Sequence, residues 1–98
     1  MDKNEVVNLL KAEKSELEKR FSIRLLALFG SYSRNQQTGD SDIDIAFEVA
    51  NDKFFGFSQR LQLQEHLMGV FKKNVDLVRL KYMDPIIRMQ VERDLIYV

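Results

Sequence analysis

The sequence predicts a small α/β domain, and three observations lead to that. Its apolar residues keep a helical spacing in some stretches and a strand-like spacing, or a short unbroken run, in others. These stretches follow the order helix, strand, loop, strand, helix, strand, helix. The chain is 98 residues long, the size of a single domain spanning residues 1–98.

Asn4 to Arg20 reads as the first helix, with Val6, Leu9, Leu10, Glu13 and Leu17 near one face and Lys and Glu opposite. Ile23 to Phe29 is a short apolar run that stops at Gly30, as a buried strand does. Gly30 to Asp40 is polar and reads as a loop with one helical turn in its middle. From Asp42 to Val49 the chain alternates: Ile43, Ile45, Phe47 and Val49 take one side, and Asp42, Asp44, Ala46 and Glu48 the other. Phe57 to Phe71 suits a second helix, with Phe57, Leu61, Gln64, Leu67, Met68 and Phe71 on one side. Asn74 to Leu80 is a third short strand. Asp84 is a good helix cap and Pro85 a good first helical residue, so a helix over 85–94 follows, then the apolar tail Leu95 to Val98. Strand order does not follow from the sequence.

Composition excludes several classes. With 45% apolar and 31% charged residues, the chain is that of an ordinary folded protein. Fifteen Lys plus Arg balance fifteen Asp plus Glu, so bulk electrostatics do not favour strong nucleic-acid binding, although a local basic patch stays compatible with neutrality. No Cys is present to form a disulfide framework or a thiolate zinc site. No apolar run approaches a bilayer span or a signal peptide, so the expectation is a cytoplasmic protein without a membrane partner.

The chemistry concentrates between Phe29 and Glu48. A strand ends at Gly30-Ser31, and Arg34 follows in a polar turn. Glycine allows close backbone approach, turn amides point at anions, a Ser hydroxyl adds a donor, and Arg offers a planar fork. Alone, such a turn is commonplace. Asp42 and Asp44 make it informative, because residues two apart on a strand project from one face, about 7 Å apart. Two carboxylates so placed can converge on Mg²⁺. An edge strand's solvated face could also carry acids, yet Asp is disfavoured in strands. Asp76 is a third acid, alone in an apolar run between Val75 and Leu77. It shares the site only if the third strand lies beside the second.

The run Gly30-Ser31-Tyr32-Ser33-Arg34, then Ser41-Asp42-Ile43-Asp44-Ile45, then Val75-Asp76-Leu77-Val78 resembles the polymerase-beta-type nucleotidyltransferase superfamily. The likeness is closest to its minimal nucleotidyltransferase branch and runs from Leu26 to the C-terminus. It implies a small mixed sheet of three or four strands with helices packed against it. By the same resemblance, Gly30, Ser31 and Arg34 hold the triphosphate of ATP. Asp42, Asp44 and Asp76 are the catalytic carboxylates and hold two Mg²⁺ ions. The family commonly continues its first motif with Gly, where this chain has Asn35, a residue that tolerates left-handed backbone angles.

The minimal branch resembles the antitoxin half of a two-gene pair, whose partner is a ribonuclease toxin of the HEPN class. The implied reaction is AMP transfer from ATP to a tyrosine of that toxin. A non-catalytic module that neutralises a partner by covering it is the alternative; a template-directed polymerase is disfavoured by the absence of a basic excess. The remaining conspicuous residues have simpler readings. His66, the only histidine, suits a partly packed helix position, Phe54-Phe55-Gly56-Phe57 a helix start docked on the core, Lys72-Lys73 a solvated helix end, and Asp40 a turn.

Overall fold

The computed structural model describes residues 1–51 and 53–98. The elements are α1 (Lys3–Phe21), β1 (Ile23–Phe29), α2 (Gly30–Ser33), β2 (Ile43–Val49), α3 (Phe57–Phe71), β3 (Val75–Arg79), a 3-10 turn (Leu80–Tyr82), α4 (Pro85–Glu92) and β4 (Ile96–Tyr97). Four strands form one sheet in the order β3-β2-β1-β4. β1 pairs antiparallel with β2 and with β4, whereas β2 and β3 run parallel, joined through α3. The sheet is therefore mixed, and the apolar tail supplies its fourth strand.

One face of the sheet carries the main core. Ile43, Ile45, Phe47 and Val49 of β2 pack with Leu26 and Leu28 of β1 and with Val75 and Leu77 of β3. Over them lie Val6, Leu10, Leu17 and Phe21 of α1 and Leu63, Leu67 and Phe71 of α3. A register shift between Ile23 and Leu25 lets both Ile23 and Leu26 face this core, as a bulge does. The opposite face is thinner: Ala27, Ala46 and Leu80, with Leu25, Phe29, Met83 and Leu95 against them.

Local chemistry explains the ends of the helices. Asp2 caps α1 by accepting from the Glu5 amide at 2.8 Å, and Ser22 closes it in the left-handed region. Asp84 caps α4 through the Ile86 amide at 2.9 Å, one residue ahead of Pro85.

Three expectations need correction. The helical turn of the 30–40 loop sits at its start, because β1 runs directly into α2 through Gly30 at φ +75°. The buried stripe of α3 is Leu63, Leu67 and Phe71, while Phe57 and Leu61 are exposed. Apolar residues lie on both sides of this helix, so its phase was ambiguous until the sheet selected one. Of the Phe54–Phe57 stretch only Phe55 docks, against Phe47 at 5.1 Å between ring centres; Phe54 and Phe57 stay exposed. Elsewhere boundaries agree within a residue or two, and Asp42 falls just before β2 rather than inside it.

Candidate active site

Sheet register decides what the three acids can do. Asp44 pairs directly with Phe29 on one side and with Asp76 on the other. The parallel neighbour therefore sets Asp76 beside Asp44 on the same face, close enough for its carboxylate to bear on Asp44. Asp42 stands further out and acts on Asp44 through its charge. Among the described residues no three acids, His or Cys are drawn into one ready-made metal cage. The structure thus brings two of the three expected carboxylates together and leaves the third alongside. Asp76 is exposed, and Asp42 and Asp44 are half-buried.

That crowding has an electrostatic signature. Burial, the Asp76 carboxylate and then the Asp42 charge push the Asp44 carboxyl up from 3.8 to about 6, against the pull of the Arg34 cation. Ionised carboxylates held this close repel each other, and a cation between them would relieve the repulsion. The donors are hard oxygens, the type that Mg²⁺ takes. On both counts the residues fit the metal that the resemblance implied.

Gly30 lies against the same carboxylate. A Cβ at this position would sit 2.1 Å from Asp44 Oδ2, and the backbone is in the left-handed region at φ +75°. Both facts require glycine, so β1 delivers its end directly onto the Asp44 side chain. The turn that follows has Phe29 as its N-cap with no side-chain cap bond. Its first amides have no partners within the turn, as at any helix start. Ser33 Oγ donates to the Gly30 carbonyl at 2.8 Å and is buried, whereas Ser31 is half-buried. Asn35 takes φ +59°, the left-handed conformation that a glycine would supply there, so the turn keeps its shape.

Arg34 has partners that the sequence did not suggest. Its Nη1 meets Asp94 Oδ2 at 2.6 Å and its Nε donates to Gln36 Oε1 at 3.1 Å. The pair ties the loop to the segment just before β4. No local signal marked Asp94, because the contact spans sixty residues. Gln37 Oε1, in the same loop, is buried without a hydrogen-bond partner among the described residues.

The other end of β2 also holds an acid. Glu48 is buried, accepting from the Val49 amide at 2.8 Å, the Lys81 amide at 2.9 Å and Arg79 Nε at 2.9 Å. Burial works to raise its carboxyl, but the Val49, Arg79 and Lys81 donors outweigh that and hold it below its ordinary value. His66 is a structural group, bonded to Glu13 Oε2 at 2.9 Å and Arg20 at 3.1 Å.

Comparison with known proteins follows the same lines. The sequence model of the family described as Polymerase beta, Nucleotidyltransferase matches residues 11–98. A Methanocaldococcus jannaschii protein, named by inference as a protein adenylyltransferase, is 38% identical over 97% of this chain and 96% of its own. Protein adenylyltransferase MntA of Thermococcus cleftensis is 33% identical over 96% of this chain and 93% of its own. Among solved structures, one described by inference as a minimal nucleotidyltransferase superposes with a TM-score of 0.80 at 26% identity, covering 98% and 95% of the two chains. A toxin–antitoxin complex with AMP-PNP gives 0.71 at 29% identity, over 99% of this chain and 72% of the other. A tri-AMPylated HEPN toxin of Shewanella oneidensis in complex with its MNT antitoxin gives 0.61 at 27%, over 97% and 66%.

Proposed function

This chain belongs to the polymerase beta nucleotidyltransferase family, and on that premise we propose that it is an antitoxin which transfers AMP from ATP to a tyrosine hydroxyl of a HEPN ribonuclease toxin in the cytoplasm. The observation that carries the reading is the row Gly30–Asp44–Asp76: a backbone that only glycine can supply, laid against Asp44, which has Asp76 beside it on the adjacent parallel strand. The named relatives and the complexes solved with toxins support the choice of acceptor.

In the proposed reaction the acceptor oxygen bonds to the α-phosphorus of ATP. The bond from that phosphorus to the bridging β-phosphate oxygen breaks, and pyrophosphate leaves. Asp76, the most exposed of the three acids, takes the proton of the attacking hydroxyl. Asp42 and Asp44, with Asp76, would hold two Mg²⁺ ions, which would neutralise the triphosphate and favour ionisation of the attacking oxygen. The α2 amides and Ser31 receive phosphate oxygens beside Gly30. Arg34 exchanges Asp94 for phosphate, both being anionic partners for the same fork.

The test is incubation of the protein with its cognate toxin, Mg²⁺ and each nucleoside triphosphate in turn, read by intact mass. The expected result is AMP added to the toxin with ATP, and none with Asp44→Asn. A tight complex with no added mass under any nucleotide would replace this reading with the non-catalytic module.

A further inference from the structure

The chain is neutral overall, but its charges are sorted. Asp42, Asp44 and Asp76 gather at the start of β2 and β3. At the other end of β2, about 13 Å along the strand at 3.3 Å per residue, a concavity of about 600 Å³ is lined by Arg24, Lys53, Arg79, Lys81 and Arg88. Among the described residues its one lining acid is Glu48, already occupied by Arg79 and by the Lys81 and Val49 amides. Arg79 is paired with Glu48 and Arg88 with Glu92, each at 2.9 Å, so Arg24, Lys53 and Lys81, which have no ion pair among the described residues, leave a positive basin. The formal neutrality of the sequence concealed it, because net charge sums over the whole surface and a basin does not.

A second concavity of about 390 Å³ adjoins the first through their shared Arg79. Phe55, Phe57, Tyr82 and Met83 line it. Phe57 is 80% exposed and Tyr82 71%, so their rings are open to a ligand. Cations stand beside this aromatic cluster: Arg79 lies 5.0 Å from the Tyr82 ring centre and 5.7 Å from that of Phe55, and Lys81 lies 5.6 Å from Tyr82. A positive groove beside open aromatic rings is the combination that holds a single strand of nucleic acid, phosphates on the cations and bases stacked on the rings.

An acidic polypeptide would also be drawn to such charge, but the neighbouring sheet edge is partly blocked against it. β3 is the edge strand, and two of its outward carbonyls are already taken: Arg60 donates to Leu77 O, and Gln64 Nε2 to Val75 O at 2.9 Å. A peptide laid there would have to displace both side chains to extend the sheet. Bases need rings and phosphates need cations, and neither needs that edge.

We propose that the Arg24–Lys53–Arg79–Lys81–Arg88 groove and the Phe57–Tyr82 rings beside it bind a short single-stranded nucleic acid, at a site separate from the aspartates. It stands independently of the AMP-transfer reading. The test is fluorescence anisotropy of a labelled single-stranded RNA octamer with the full chain, titrated at low and moderate salt. Binding weakens by about tenfold from 50 to 200 mM salt, as a few phosphate contacts require. The doubly reversed variant Lys53→Glu/Lys81→Glu loses about tenfold or more, and Phe57→Ala/Tyr82→Ala loses about tenfold through stacking. All four residues are exposed, so the fold survives these changes, and a circular dichroism melt checks that it does. Asp44→Asn binds the octamer as the unaltered protein does. No anisotropy change at low salt overturns the proposal, and so does binding indifferent to the charge reversal. Displacement of the RNA by polyglutamate at equal charge overturns it in favour of an acidic polypeptide ligand.

Discussion

Asp44 and Glu48 lie four residues apart on the same side of one strand, and the fold treats them in opposite ways. Asp44 has acids for neighbours and is pushed up to about 6 by burial and by Asp76. Glu48 is the more buried of the two, yet the Val49 amide, Arg79 and the Lys81 amide hold it below its ordinary value. Burial alone therefore does not say which acid is poised for chemistry; the partners do. A carboxylate whose charge is fully answered holds the chain together. One whose charge is opposed awaits a cation, and this is the pattern expected of a functional group.

Breaking the Asp44 end should have the largest effect. Asp44→Asn keeps the shape of the side chain and removes its charge. With Asp44 as the proposed metal ligand, its loss removes several kcal/mol of transition-state stabilisation, so AMP transfer should fall about a thousandfold or more in a single-turnover assay. Near-normal transfer by this variant would end the assignment of Asp44.

Breaking the Glu48 end should unfold rather than inactivate. Glu48→Ala leaves the Arg79 charge and two amides without their acceptor, at a cost of about 3 kcal/mol. Urea denaturation measures it. A loss below about 0.5 kcal/mol, the scale of a surface pair, would show that the network is solvent-screened.

Gly30→Ala tests the contact between β1 and Asp44. The added methyl would enter the Asp44 carboxylate, and the backbone is left-handed. A cost of about 2 kcal/mol is expected from strain alone, together with loss of transfer. Retained activity in Gly30→Ala would mean that Asp44 need not sit where the structure places it.

The smallest effect has the sign that sharpens the comparison. A carboxyl raised in the folded state opposes folding when ionised. That cost is absent below its unfolded value of 3.8 and complete above about 6. Asp44→Asn removes it, so at pH 7.5 without Mg²⁺ the variant should be more stable. The gain is about 1 kcal/mol after allowing for solvent screening, or roughly 4–8 °C in Tm for a domain of this size. The gap should close as pH falls toward 4. Glu48 behaves inversely: its stabilisation is present above its ordinary 4.5 and is lost as pH falls through its lowered value. Mg²⁺ should raise the Tm of the unaltered protein and not that of Asp44→Asn. Equal Tm values across the pH range would mean that Asp44 carries no unrelieved charge.

Much of this protein was legible in the sequence, because local rules act over a few residues. The period-two run of β2 announced both its core face and its acids, and Asp84-Pro85 announced the start of α4. Asn35 was known to tolerate a left-handed turn, and the structure puts it in one. Gly30 was marked by chemistry, though not by the contact that requires it. What the sequence left open were contacts between residues distant along the chain. The parallel pairing of β2 with β3 turned Asp76 from a solitary acid into the neighbour of Asp44. Packing of α3 chose Leu63 over Leu61, since a helix with apolar residues on two sides has no phase of its own. The Arg34–Asp94 pair and the gathering of cations in the concavity beside Glu48 arise only once strands and the C-terminal segment meet. The sequence by itself determined which residues supply the core and which carry the carboxylates, hydroxyl and guanidinium proposed for metal and phosphate. Tertiary structure alone decided which of them stand together, because proximity between distant residues is set by the pairing of strands and not by spacing along the chain.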